Sequence, residues 1–181
     1  SREYVQRLRD RRDPDQLHLS PPFRTALGIY SMNLSIVVLD AEGGQAGVLT
    51  ATLDPDYFGV MLSSTRYADD VWAGLAHGEG LFAMVEPPMP EVLGRNLDEP
   101  GSMFRRHRES GQASTVFVGT IKATGQARMI AQRTVQHQGL SLDVPPVLAV
   151  SRSLDAMYAP WWRQTRDYAL GYVLLAGARC W

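Results

Sequence analysis

The residues best suited to catalysis in this chain are its histidines, His18, His77, His107 and His137, and none of them lies in a known catalytic motif. No His-Glu-x-x-His or other paired histidine spacing is present, and no Gly-x-Ser-x-Gly turn supplies a nucleophile. The glycines form neither a Walker motif nor a Gly-x-Gly-x-x-Gly turn that could hold a phosphate. The sequence therefore predicts a protein that is not an enzyme and needs no cofactor or metal. A small hydrolase that uses one of the histidines is the weakest alternative.

The most basic segment of the chain, residues 105–108, reads Arg-Arg-His-Arg and follows Phe104. Ser102 is a suitable residue to begin a short helix here, and Gly111 is suitable to end it. A solvated helix face is the simplest explanation of such a run. If the helix covers the face of a sheet, however, its cations could hold a carboxylate ligand.

Arg133 is the other unusual cation, because it alternates with apolar residues in a predicted strand. It shares one face of that strand with Met129, Ala131 and Val135. If this is the inner face, Arg133 needs an internal acid or a ligand anion, and an internal pair is the simpler of the two. The candidate ligand-binding residues are therefore Phe104, Arg105, Arg108, Phe117 and Arg133.

A strand that runs directly into a helix is the clearest structural signal in the chain. Residues 48–53 are apolar and rich in Val and Thr, as in a buried strand. Asp54 then occupies the position of a helix N-cap, followed by Pro55 at the first helical position. The same order returns at residues 147–154, where Asp155 is expected to be the equivalent cap. The repetition suggests two modules of similar construction.

The rest of the chain predicts an α+β fold built on antiparallel sheet. Short links containing Gly, Asp or Pro join most successive strands, and such links are too short for parallel crossovers. From residue 54 onward the order is helix, two strands, short helix, three strands and helix, as in a PAS-like module. Further strands are predicted over residues 17–19, 29–39, 71–76, 81–85, 115–121 and 128–135, and further helices over residues 2–12 and 102–109.

Composition excludes several classes of partner. The 181 residues include 18 basic and 19 acidic side chains, so a net charge of -1 does not favour nucleic acid. Cys180 is the only cysteine, which excludes an intrachain disulfide.

Residues 168–178 carry no charge and follow Trp161 and Trp162, as at a membrane interface. A truncated membrane span and a terminal helix packed on its own sheet explain this tail equally well.

Three phrases carry a family resemblance: AGVLTATLDPDYF at 46–58, GSMFRRHRESG at 101–111 and AVSRSLD at 149–155, with YAPW at 158–161. They resemble the double Cache (PDC-type, PAS-like) sensor region of bacterial membrane-bound signalling proteins, in particular GGDEF-type diguanylate cyclases and sensor kinases. Two features depart from that family. The long N-terminal helix and first strands of its distal module are absent here. The amino-acid-binding pattern is also incomplete, because no Trp-Tyr pair follows Tyr4 and Arg9.

The resemblance implies an extracytoplasmic, periplasmic sensor domain of an inner-membrane protein, with one full module preceded by half of another. Residues 1–53 would be the C-terminal half of a membrane-distal module and 54–160 the membrane-proximal module. Residues 161–181 would be an exit helix and the start of a truncated transmembrane span. Any catalytic domain, such as a diguanylate cyclase or histidine kinase, would lie outside the chain.

The expected partners are a small-molecule ligand, anionic if the cationic helix holds it, the membrane through flanking spans, and a second copy of the full-length protein. No nucleic acid is expected. The function implied is ligand sensing that shifts the terminal helix and sends a signal inward. The alternative is a structural module of the same receptor that dimerises and binds no ligand.

Overall fold

The computed structural model describes residues 13–121, 124–136, 139 and 141–178. The helix predicted over residues 2–12, His137 and residues 179–181 lie outside the described residues. In chain order the elements are β1 (Gln16–Leu19), β2 (Phe23–Arg24), β3 (Tyr30–Ser31), β4 (Asn33–Leu39), β5 (Gln45–Thr52), α1 (Pro55–Ser64), β6 (Trp72–Ala76), β7 (Phe82–Glu86), α2 (Met103–Ser110), β8 (Ser114–Thr120), β9 (Ala127–Thr134), β10 (Ser141–Leu142), β11 (Val147–Ser153) and α3 (Leu154–Ala178).

The larger sheet has five strands in the order β7-β6-β11-β9-β8, and every neighbouring pair is antiparallel. The smaller sheet has the order β10-β1-β4-β5, in which only the short β1–β10 pair is parallel. The hairpin of β2 and β3 stands apart from both. The predicted α+β class, with antiparallel sheets and flanking helices, is confirmed.

The strand predicted over residues 29–39 is divided into β3 and β4 at Met32. Met32 is fully buried, and its carbonyl accepts a hydrogen bond from the Leu53 amide, which continues the register of β4 and β5 by one residue. The break between β3 and β4 is thus confined to Met32. The continuous apolar run did not reveal it, because Met32 fits a strand pattern equally well.

The first strand-to-helix junction forms as the sequence indicates. The Asp54 carboxylate accepts a hydrogen bond from the Asp56 amide at 3.0 Å, and Pro55 is the first residue of α1. The second junction differs. Helix α3 begins at Leu154, so Ser153 and not Asp155 occupies the N-cap position.

The Ser153 hydroxyl accepts from the Ala156 amide at 3.4 Å, which is the bond expected of a cap three residues earlier. Asp155 lies in the first turn instead, where an acid still favours the helix dipole. The expected equivalence of Asp54 and Asp155 as caps is therefore wrong by two residues.

The core lies on both faces of the five-stranded sheet. On one face, α1 and the smaller sheet pack against it through a cluster that includes Leu19, Met32, Leu62, Leu75 and Met84. On the other face, Phe104 of α2 packs against Ala76 and Val147. The two sheets and α1 thus share one core, while α2 covers the opposite face.

Helix α3 contacts β9 and β11 but leaves its aromatic residues in solvent. Trp161, Trp162 and Tyr168 are exposed to 55%, 62% and 70%, so these rings do not pack on the sheet. In the part of the chain that the structure describes, none of the helices is long and apolar enough to cross a membrane.

Candidate functional site: the polar sheet face beneath helix α2

Helix α2 covers a row of polar side chains on β8, β9 and β11. Strand alternation places Thr115, Gln132 and Ser151 on the inner face of the sheet, where each is at most 9% exposed. Thr115 lies directly opposite Gln132 in the register of β8 and β9. Buried polar side chains need partners, so the contacts of this row show what the site can bind.

His107 of α2 fills one end of the row and is 1% exposed. Its Nδ1 lies 2.8 Å from the Thr115 hydroxyl, and its Nε2 lies 3.0 Å from the Thr134 hydroxyl. Burial lowers the pKa of the His107 imidazole, so the neutral ring is favoured. One ring nitrogen then donates and the other accepts, and the two hydroxyls adapt to this arrangement.

Gln132 is the side chain of the row with an unmet hydrogen-bonding group. It is 6% exposed, and its Oε1 has no hydrogen-bond partner among the described residues. A buried acceptor in this state costs free energy until a donor reaches it. An N–H or O–H group of a ligand would supply that donor.

Arg128 fills the other end of the row and is also 1% exposed. Its guanidinium stacks on the Trp72 ring at 3.7 Å from the centroid, and its Nε donates to the Ser151 hydroxyl at 3.1 Å. Burial lowers the pKa of Arg128, and the nearby Asp70 carboxylate opposes that shift. The site is therefore bounded by a neutral imidazole and a buried cation.

The basic helix is already neutralised in part. Asp98 lies 3.3 Å from Nε of Arg105 and 2.8 Å from a terminal nitrogen of Arg108. Arg106 stacks on the Phe117 ring at 4.3 Å. An internal acid and an aromatic ring thus engage all three arginines of α2.

The structure brings together four of the five predicted ligand-binding residues and separates the fifth. Phe104, Arg105 and Arg108 lie on α2, and Phe117 lies on the sheet face that α2 covers. Arg133 is exposed on the opposite face, where it borders a depression of about 250 Å³ with Leu148 and Val150. The conditional inference that Arg133 needs an internal partner does not apply, because its side chain is exposed.

Sequence reasoning missed Arg128 and Gln132, which occupy the inner face of the same strand. Side chains of successive strand residues point to opposite faces, so Arg128 and Gln132 share one face and Arg133 lies on the other. The sequence pattern separates these two faces without showing which one α2 covers. The signal that could have found them is Gln132 itself, a polar residue that follows Ile130 and Ala131 in a strand.

The other two described histidines lie near β1. Nδ1 of His18 lies 3.0 Å from the Asp143 carboxylate, and its Nε2 is buried without a hydrogen-bond partner among the described residues. His77 is 1% exposed, and its Nε2 lies 3.2 Å from the Leu19 carbonyl. Across residues 13–121, 124–136, 139 and 141–178, no group of three His, Cys, Asp or Glu residues is placed to hold a metal.

Comparison with known proteins identifies the fold. No family model and no curated protein sequence matches the chain. The extracellular domain of rpHK1S-Z16, a protein assigned as a histidine kinase, superimposes with a TM-score of 0.69 at 18% identity over 88% of this chain and 62% of its own. The periplasmic sensory domain of the Campylobacter jejuni chemoreceptor Tlp1 gives 0.68 at 18% identity, over 86% of this chain and 56% of that one.

A third similar structure is the ligand-binding domain of the Pseudomonas aeruginosa amino acid chemoreceptor PctB in complex with L-Arg. Its TM-score is 0.54 at 16% identity, over 80% of this chain and 57% of that one. The chain thus spans about three fifths of the length of these domains. Its fold is that of the extracellular and periplasmic sensory domains of histidine kinases and chemoreceptors, as the resemblance to the double Cache family implied.

Proposed function

We propose that the chain is the extracytoplasmic ligand-sensing part of a transmembrane signalling protein and performs no catalysis itself. The observation that carries this proposal is the unmet acceptor of Gln132, buried under α2 on the sheet face of a sensor fold. A buried acceptor without a donor costs free energy, and a ligand that supplies the donor recovers this cost as affinity.

The ligand that fits this site is a small molecule with an N–H donor, such as an amine or an amide. The structures of two similar receptor domains are complexes with amino acids, L-Arg in PctB and L-serine in CtaA of Pseudomonas fluorescens. In this chain Asp98 pairs with Arg105 and Arg108, so we propose recognition through Gln132 rather than through these cations. An anionic group of the ligand would have to displace Asp98.

A thermal-shift screen of amino acids, polyamines, carboxylates and purines tests the proposal. We expect at least one amine or amide to raise the melting temperature of the wild-type chain, and Gln132→Met to abolish the shift, because Met keeps the volume and removes the acceptor. Gln112→Met, at an exposed position, is the matched control. A screen that is silent for wild type, or a shift that Gln132→Met leaves unchanged, would refute ligand sensing at this site.

For the domain organisation, we propose that residues 13–53 belong to a membrane-distal module and 54–160 to a membrane-proximal one. The two strand-to-helix junctions support this division, because β5 enters α1 as β11 enters α3. Strand β11 pairs on both sides, with β6 and β9, whereas β5 pairs only with β4 among the described residues.

Dimerisation through α3 is the second function that a specific observation favours. Its exposed aromatic and apolar residues recur at alternating spacings of three and four, which is the heptad spacing of a coiled-coil seam. The seam comprises Tyr158, Trp161, Thr165, Tyr168, Tyr172 and Leu175, all exposed in the single chain. We propose that a second copy covers this seam and that the helix leads toward the membrane.

Substitutions at two neighbouring leucines distinguish dimerisation through the seam from non-specific hydrophobic association. Leu175 lies in the seam and Leu174 lies outside it, and both are 73% exposed. We expect Leu175→Asp to weaken self-association in sedimentation and Leu174→Asp to leave it unchanged. Equal effects of the two substitutions, or a wild-type chain that stays monomeric at high concentration, would contradict the seam.

A further inference from the structure

The loop between α1 and β6 is tied to the first residues of α3 by one carboxylate. Asp70 accepts two hydrogen bonds from the Arg152 guanidinium, at 3.1 Å from Nε and 3.0 Å from a terminal nitrogen. The same carboxylate accepts from the Ser153 amide at 3.1 Å. Ser153 is the N-cap of α3, so Asp70 holds the residue that starts this helix.

Aromatic rings and a second arginine enclose this contact. The Tyr67 ring lies 5.2 Å from the Arg152 guanidinium. The backbone carbonyl of Asp70 accepts a hydrogen bond from Arg128, which also donates to the Ser151 carbonyl at 3.2 Å. We call the group of Tyr67, Asp70, Arg128, Arg152 and Ser153 the Asp70 clasp.

The clasp joins elements that are far apart in the chain. Asp70 and Ser153 are 83 residues apart, and Asp70 follows α1, whose N-cap Asp54 comes shortly after β5 of the smaller sheet. Movement of the smaller sheet therefore reaches α1 through the covalent chain, and α1 reaches α3 through Asp70. Arg128 belongs to the polar row beneath α2, so the candidate ligand site touches the same clasp.

We propose that Asp70 is the coupling residue that transmits displacement of α1 and of the polar row to the first turn of α3. The inference rests on the proposed sensing function, in which the position of α3 is the output. A bidentate carboxylate–guanidinium pair has one favourable geometry, so Arg152 cannot move relative to Asp70 without losing both bonds. The pair therefore transmits movement as a rigid link.

Hydrogen exchange on the full chain tests the link without any ligand. In Asp70→Asn we expect exchange of the peptide covering residues 153–160 to accelerate about tenfold or more, because charge-assisted hydrogen bonds to Arg152 and Ser153 are weakened. Asp69→Asn is the matched control, since the neighbouring Asp69 is exposed. Arg152→Lys keeps the charge and loses the bidentate geometry, so we expect an intermediate acceleration.

The outcomes separate this inference from the sensing function. Equal exchange of residues 153–160 in Asp70→Asn and Asp69→Asn would overturn the clasp while leaving ligand binding at Gln132 untouched. If a ligand is found, it should alter exchange in α1 and in α3 of wild type, and Asp70→Asn should bind it with the α3 response lost. A retained α3 response would also overturn the proposal. If Asp70→Asn does not fold, Arg152→Lys against wild type gives the same decision.

Discussion

His107 is a side chain whose state is set by its burial rather than by its neighbours in sequence. It stands in the most basic segment of the chain, which suggested a solvated or ligand-binding face. In the structure it is buried between Thr115 and Thr134, while the arginines around it remain at the surface of α2. Consecutive positions of one helix thus place a core histidine between two arginines that are exposed.

The lowered pKa of His107 predicts a loss of stability in mild acid. The unfolded chain takes up this proton near pH 6.5, whereas the folded chain takes it up only at a lower pH. The contribution is therefore complete above about pH 6.5 and is lost as the pH falls toward the folded value. We expect the free energy of unfolding in urea to fall from pH 7.5 to pH 5, and to fall less steeply in His107→Gln. Parallel pH profiles for the two proteins would contradict this assignment.

Arg128 and Arg133 show where residue-level prediction stopped. The sequence predicted this strand over residues 128–135, and the bounds of β9 differ from the prediction by one residue at each end, but only Arg133 was singled out. The inner face is decided by what packs on it, namely α2 and the aromatic ring of Trp72. These contacts come from segments that are distant in the sequence, so the local pattern of β9 could not show which of its faces is covered.

At the scale of elements, the helix ends were the most predictable features because caps are local. Ser102 and Gly111 bound α2 as expected, with Gly111 in the left-handed region at a φ of 64°. Asp54 likewise caps α1. The error at α3 arose because Ser153 and Asp155 are both good capping residues, and the strand β11 extends to Ser153 before the helix begins.

The corrected start of α3 predicts an order of effects for two substitutions. Ser153→Ala removes the hydroxyl that accepts from Ala156 and should destabilise the chain by about 1 kcal/mol, the typical loss for an N-cap. Asp155→Ala removes only a favourable charge in the first turn, so its loss should be smaller. Urea denaturation at pH 7 measures both. A larger loss in Asp155→Ala than in Ser153→Ala would restore Asp155 as the cap.

At the scale of the whole molecule, the association of the two sheets could not be predicted from the sequence. The two-residue strand β10 pairs with β1 across more than a hundred residues, and neither its length nor its composition marks it as a strand. The resemblance to a two-module family indicated that a second unit was present. It did not identify the residues that join the units, because polar contacts between modules leave no periodic pattern.

Asp143 is the main polar link between the two sheets. It follows β10, and its carboxylate accepts from the Leu19 amide at 3.0 Å and from the Val144 amide at 2.7 Å. His18 places its Nδ1 at 3.0 Å from the same carboxylate, and the Asp143 amide donates to the Leu17 carbonyl at 3.0 Å. Strand β1 is thus held at three successive residues by the segment that leads into β11.

Removing the Asp143 carboxylate should destabilise the chain more than removing a carboxylate that only holds a local turn. We expect Asp143→Ala to lower the free energy of unfolding by about 2–4 kcal/mol. The substitution leaves the Leu19 amide and the His18 ring, which lie between the two sheets, without their carboxylate acceptor. Asp40→Ala is the control, since Asp40 accepts backbone hydrogen bonds only within its exposed hairpin.

If Asp143→Ala loses no more stability than Asp40→Ala, the apolar core around Met32 and Leu75 alone holds the sheets together. If instead wild type unfolds in a single transition and Asp143→Ala unfolds in two, the carboxylate is what makes the two sheets unfold as one unit, and the sheets retain separate stabilities without it.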